Sequence, residues 1–195
     1  MSPASTKATD LEQTRAAASV ASSMRRRADT FLIVAALITF LCDIGTKEWV
    51  LHHLPGPLAR HDLWQDHLAL VIAKNFVGSW GMTRSMSDGP RRWFFLAASL
   101  SATAVIVAWN RRLPTRHWAL RWALPIVLGG VIGNEVDRLH RGYVLDFIQL
   151  RVALVSGDRV WSTCNVADIA IRIGVLLAGI DLLLTVLQQR TRAAT

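Results

Sequence analysis

Four apolar runs dominate the chain: Ala28 to Leu51, Trp93 to Trp109, Trp118 to Leu139, and Asn165 to Leu187. Each approaches the ~20 residues that a helix needs to cross a hydrocarbon core, where every backbone polar group must find its partner within the segment. The expected fold is therefore an all-α membrane protein of four transmembrane helices. A chain of 195 residues has no room for a second such domain. The organisation expected is a disordered cytoplasmic extension over residues 1–27, rich in Ala, Ser and Thr, followed by a four-helix transmembrane domain over 28–190.

Basic residues give the expected orientation. Arg25, Arg26 and Arg27 precede the first run, Arg111, Arg112, Arg116 and Arg121 join the second to the third, and Arg190 and Arg192 follow the fourth. The positive-inside bias then places both termini in the cytoplasm, although Arg91, Arg92, Arg138, Arg141, Arg151 and Arg159 on the other side dilute it. Trp93 and Trp109 bracket the second run at a separation of roughly 24 Å of helix, the spacing of two interfacial aromatic belts. A net charge of +8 raises nucleic acid as a partner, but these cations flank apolar helices and form no aromatic-interleaved stripe. Membrane lipids, through anionic headgroups, are the expected partner instead. Asp43 and Lys47 interrupt the first run and no A-x-A site follows it, which argues against a cleaved leader.

Two stretches read as extended. His67 to Lys74 and Tyr143 to Leu154 are β-prone and bounded by polar or turn residues, so they are expected to pair as a small extracytoplasmic β-like cradle. Cys42 and Cys164 are too few and too distant in sequence for a disulfide framework or a metal site, and read as small packing residues. The histidines show no H-E-x-x-H spacing, so neither metal nor cofactor is expected.

The chemistry lies at the ends of the apolar runs. Carboxylates are costly in a membrane and usually mark a working site. Asn134, Asp137 and Arg138 stand at i, i+3 and i+4, one face of the third helix, with Gly129, Gly130 and Gly133 just below to allow close helix approach. Asp146 follows past a turn at Gly142, and Asp168 begins the fourth helix after Asn165, a candidate cap. Asp43 and Lys47 share a face of the first helix at i, i+4. Two aspartates brought together have their pKa values driven apart, leaving one to activate water and one to protonate a carbonyl oxygen.

The blocks Gly133-Asn134-x-x-Asp137-Arg138, Gly142-Tyr143-Val144-x-Asp146-Phe147 and Asn165-x-Ala167-Asp168 resemble those of the lipoprotein signal peptidases, also called signal peptidase II. The resemblance runs from about Phe31 to Leu187. It implies an aspartic endopeptidase of the bacterial inner membrane, with its active site near the periplasmic face, acting as a monomer on lipid-modified prolipoproteins and cutting before the lipidated cysteine. By position it implies Asp146 and Asp168 as the catalytic dyad. Asn134, Asp137, Arg138, Asn165, Asn75, Asp43 and Lys47 would form the supporting shell.

This chain departs from the family pattern at several places. Asn75-Phe76-Val77-Gly78-Ser79-Trp80 displaces a glycine and enlarges an aromatic, Cys164 precedes Asn165 where an aromatic is usual, and Glu135 replaces an apolar residue. The linker between Asp146 and Asp168 is a few residues long for the family. Arg172, one turn beyond Asp168, either pairs with it and lowers its pKa or extends to the headgroups. A catalytically impaired relative that binds lipoprotein signal peptides or an inhibitor is the alternative these changes keep open. A proton-coupled transporter using the same aspartates lacks the broken-helix pair or repeat that alternating access needs.

Overall fold

A computed structural model describes residues 3–56, 59–64, 67–78, 83–114, 116–152 and 159–194. These form helices α1 (Pro3–His53), α2 (Asp88–Arg112), α3 (Trp118–Arg141) and α4 (Val166–Ala194), and strands β1 (Arg60–Trp64), β2 (Leu68–Asn75), β3 (Val144–Val152) and β4 (Arg159–Cys164). Each apolar run falls in one helix, the fourth apart from Asn165, which precedes α4.

Three of the helices hold segments long and apolar enough to cross a membrane: Ala18–His53, Asp88–Asn110 and Val166–Thr191. Their outer faces are apolar and uncovered, with Ile33, Leu37 and Leu41 on α1 and Val175, Leu176 and Leu182 on α4 exposed. Continuous apolar surface of this kind needs a partner other than water. Trp93 and Trp109 are both exposed near the two ends of α2.

Helix α3 is the inner one. Ala123, Leu124, Leu128, Gly129, Gly130 and Gly133 are buried along it, and Leu32 and Ala36 of α1 with Ile106 of α2 complete a core with Leu120 and Leu128. Its glycines decide how near the neighbours come. A Cβ at Gly130 would lie 2.7 Å from the Ala167 carbonyl oxygen of α4, and one at Gly129 would collide with the Ala36 carbonyl of α1 and approach the Thr39 Cβ to 2.6 Å. Backbone on both sides cannot step aside as a side chain can, so any larger residue separates the helices. Gly130→Leu is expected to lower the unfolding midpoint in detergent by the equivalent of about 1–3 kcal/mol or more, the usual cost of overpacking. An unchanged midpoint would contradict the close α3–α4 approach.

Contacts along the bundle show the helix directions. Asp43 and Lys47 of α1 meet Gly133 and Asp137 of α3, while Asp29 meets Asn110 near the end of α2 and His117 before α3 meets Asp181 late in α4. The helices therefore alternate in direction, and the end of α2, the start of α3 and the later part of α4 share one side.

One difference from expectation lies in residues 3–27, read from the sequence as unstructured. They continue α1 as helix, and residues 18–27 are exposed. Ala, Arg, Met and Gln are good helix formers, and extending an existing helix costs no new nucleus. Residues 1 and 2 lie outside the described residues. Cys42 also differs, being exposed on α1 where packing was expected, while Cys164 is buried.

The sheet has the order β1-β2-β3-β4, antiparallel throughout. The two stretches expected to pair do so as β2 and β3, with Asn75 opposite Val144 and Ala73 opposite Asp146. Ala153 and Leu154, the end of the second stretch, lie outside the described residues. The edge strand β4 was not anticipated, because its sequence, Arg-Val-Trp-Ser-Thr-Cys, carries little apolar alternation.

Candidate active site

The site forms where the sheet meets the ends of α1, α3 and α4. Helix α3 stops at Gly142, whose φ of 79° lies in the left-handed region and whose N–H donates to the Arg138 carbonyl at 3.1 Å. That cap suits glycine, and it turns the chain directly into β3, which carries Asp146. Helix α4 starts beside it. The Asn165 side-chain oxygen accepts the Asp168 N–H at 2.8 Å, the capping role expected from the sequence.

Two asparagines, Asn165 and Asn134, tie the two carboxylates together and a third, Asn75, holds Asp146; each is oriented by a second contact. Asn165 presents its oxygen to that backbone N–H, so its Nδ2 faces Asp146 Oδ1 at 2.8 Å and Asn134 Oδ1 at 3.0 Å. Asn134 accepts also from Lys47 Nζ at 3.3 Å, which leaves its Nδ2 to donate to Asp168 Oδ1 at 2.9 Å. Asn75 accepts the Gly78 N–H at 2.9 Å and donates to Asp146 Oδ2 at 2.9 Å. Gly78 has φ 72°, so the displaced glycine of this block supplies the left-handed residue that closes the turn around Asn75. Ser79 and Trp80 lie outside the described residues.

A charged layer supports the asparagines. Lys47, Asp43 and Asp137 are fully buried. Lys47 Nζ lies 2.6 Å from Asp43 Oδ2 and 2.9 Å from Asp137 Oδ2. The remaining carboxylate oxygens are engaged by backbone or cation: Asp43 Oδ1 accepts Ala167 N–H at 2.8 Å, Asp137 Oδ2 also accepts Leu145 N–H at 3.0 Å, and Asp137 Oδ1 is paired with Arg141. These bonds reach from α1 and α3 to the first turn of α4 and to the residue before Asp146. The layer thus positions both aspartates through their own backbones. Gly133 makes room for it, since a Cβ there would sit 2.5 Å from Asp43 Oδ2.

Arg138 lies to one side. Its guanidinium stacks 4.0 Å from the Phe95 ring of α2 and stands 3.6 Å from Glu135 Oε2, which also accepts from Ser99 at 2.9 Å. Among the described residues it forms no ion pair with either carboxylate, although the Asp168 charge acts on it electrostatically. The buried Glu135, one turn back on α3, pairs with Arg138, and both side chains contact α2 through Ser99 and Phe95. Arg141 and its other partner, Glu48, were missed by the sequence reading; the i, i+4 step from Asp137 to Arg141 was the available signal. Arg172 is exposed and forms no ion pair with Asp168 among the described residues; its contact is the Cys164 thiol, whose pKa burial raises.

Electrostatically the two aspartates are unequal in surroundings. Asp146 is 3% exposed. Burial, and after it the Asp168 carboxylate, push its pKa up to about 7 against the opposing pull of Asn75, Lys47 and Asn165. A carboxyl titrating near neutrality and hydrogen-bonded into one network with a second is equipped to share a proton.

The model of the family Signal peptidase (SPase) II matches residues 35–184. The chain belongs to the signal peptidase II family. Among its relatives, the lipoprotein signal peptidase of Shewanella pealeana is 32% identical over 154 residues, spanning 74% of this chain and 81% of that one. The lipoprotein signal peptidase of Xylella fastidiosa strain 9a5c is 33% identical over 158 residues, 76% and 85% of the two chains. Two solved bacterial membrane enzymes share the fold at TM-scores of 0.65, with 23% and 22% identity, each covering 78% of this chain and 87% and 92% of theirs. As a signal peptidase II, the protein is a protease whose apolar helices fit a membrane enzyme.

Proposed function

We propose that Asp146 and Asp168 are the catalytic dyad of a peptidase that removes signal peptides from diacylglyceryl-modified bacterial prolipoproteins, cutting before the lipidated cysteine. The observation that carries this reading is the Asn134–Asn165 bridge, which hydrogen-bonds one oxygen of each carboxylate and holds both at the edge of an apolar bundle. In the reaction, the ionised member takes a proton from a water that attacks the scissile carbonyl carbon. The protonated member gives its proton to the carbonyl oxygen, and proton return to the leaving amine completes the hydrolysis. The pair titrates as a unit, its proton belonging to both carboxyls together.

Asn75, Asn134 and Asn165 orient the carboxylates, while Asp43, Lys47 and Asp137 position the backbone that carries them; Arg138 and Glu135 brace α3 against α2. The unit from 28 to 190 is the peptidase domain, with α3 as the fourth membrane span. The arginine-rich end lies at the cytoplasmic face of the inner membrane with both termini, and the dyad lies near the periplasmic face, in a monomer. That Arg172 contacts the Cys164 thiol and forms no ion pair with Asp168 among the described residues supports an active enzyme over an impaired relative. Cleavage by the purified chain of a lipid-modified prolipoprotein, but not of its unlipidated precursor, is the expected result. Binding of the lipidated substrate without cleavage would favour the impaired relative.

The pKa of Asp146 also sets a pH dependence. If the shared proton must be present, kcat/KM falls about tenfold per pH unit above pH ~7. Stability follows the same direction: the folded carboxyl binds its proton more tightly than the unfolded one, whose pKa is the ordinary 3.8, so the group favours folding as pH falls from about 7 towards 4. A rate that stays level between about pH 6 and 9 would refute the proton requirement.

A further inference from the structure

At the end of the bundle remote from the carboxylates, the chain forms an open cleft of about 330 Å³, within the ~300–1,000 Å³ typical of small-molecule sites. Fourteen residues of α1 separate Asp29, at this end, from Asp43 at the other, about 21 Å at ~1.5 Å per residue. The walls carry Arg25, Arg111 and Arg121 beside Asn110, with Met24 and Leu113 as apolar surface.

The arginines are not spent on carboxylates. The nearby acid, Asp29, accepts a hydrogen bond from Asn110 at 3.2 Å, and among the described residues no ion pair engages Arg25, Arg111 or Arg121. Arg121 donates through Nη2 to the Leu113 carbonyl at 3.4 Å, but its Nε is buried with no hydrogen-bond partner. A buried guanidinium donor without an acceptor is costly. With Arg25 and Arg111 lining the same cleft, its three cations call for an oxyanion, and the planar fork of arginine matches phosphate.

We propose that this cleft binds a phosphate group, delivered by an anionic phospholipid of the surrounding leaflet. The apolar wall formed by Met24 and Leu113 suits the glycerol and acyl portion, and the excess of positive charge disfavours a headgroup that carries its own cation. Basic pockets between membrane helices take anionic headgroups for the same reasons.

The test is binding of phosphatidylglycerol, phosphatidylcholine and inorganic phosphate to the delipidated full chain in detergent, read by native mass spectrometry. Phosphatidylglycerol should be retained in preference to phosphatidylcholine. Arg121→Gln should weaken that retention about tenfold or more, the loss of a charge-assisted hydrogen bond. Arg25→Gln, at an exposed position where folding is safe, should weaken it severalfold, and Arg190→Gln, outside the cleft, should leave it close to native. Displacement of the lipid by inorganic phosphate would locate the recognition in the phosphate itself; failure to displace it would place the lipid as the source, with the acyl wall contributing. Equal retention of both lipids, or equal losses in Arg25→Gln and Arg190→Gln, would overturn the site in favour of diffuse surface attraction.

Discussion

Asp146→Asn and Asp168→Asn should each reduce cleavage of a lipid-modified prolipoprotein by about 10³-fold or more while the protein remains folded and inserted. Each change preserves the side-chain shape and removes one of two groups that must exchange a proton with water and substrate. General acid–base contributions of ~10²–10⁴-fold apply to each role, and members of one catalytic unit are not additive. The double variant should therefore be little slower than either single one. Asp146→Asn also removes the carboxyl whose pKa is raised to about 7, so the stability of this variant should depend less on pH in the neutral range than that of the native chain. Single-turnover cleavage in detergent micelles, beside an unfolding curve for each variant, separates loss of chemistry from loss of fold. Near-native turnover by either variant would remove that aspartate from the dyad.

The second large effect is expected at Lys47. Its ammonium is fully buried between Asp43 and Asp137, at 2.6 and 2.9 Å. Lys47→Met would leave two buried carboxylates without their common cation. Asp137 retains Arg141 and the Leu145 N–H, but Asp43 retains only the Ala167 N–H. Removing one partner of a buried pair costs about 3–5 kcal/mol, far more than the net worth of the pair itself. The expected result is a large fall in the unfolding midpoint, with activity falling as well because Asn134 loses one of the donors that orient it. Adding Asp43→Asn to Lys47→Met should restore part of the stability by removing the uncompensated charge. A double variant no more stable than Lys47→Met alone would show that packing around Lys47, and not charge, is what matters there.

The same contacts explain why some of this site was legible in the sequence and some was not. Helical spacing joined Asp43 to Lys47 and put Asn134 beside Asp137, because those relations depend only on a repeat of 3.6 residues. It also placed Arg138 with them, but could not show that Phe95 of α2 stacks on its guanidinium while Glu135, one turn back on α3, pairs with it. Asn75 was identified only through a resemblance in an altered block. Its role became physical once Gly78 was found to close a turn that turns its amide towards Asp146. Glu48 escaped notice because nothing local marks its partner Arg141, 93 residues away.

From the sequence alone came the four apolar helices, the charge asymmetry of their ends, the central strand pair and the aspartates at the boundary. Each follows from short-range periodicity or from the cost of polar groups in hydrocarbon, which act wherever the chain goes. Tertiary structure decided that α3 is the enclosed helix, with glycines set against carbonyls on both sides. It also decided that one lysine serves two aspartates and that Asn134 and Asn165 join two carboxylates from β3 and α4 into one network. Those relations arise from packing between segments far apart in the chain, where no local period records which side chains will meet.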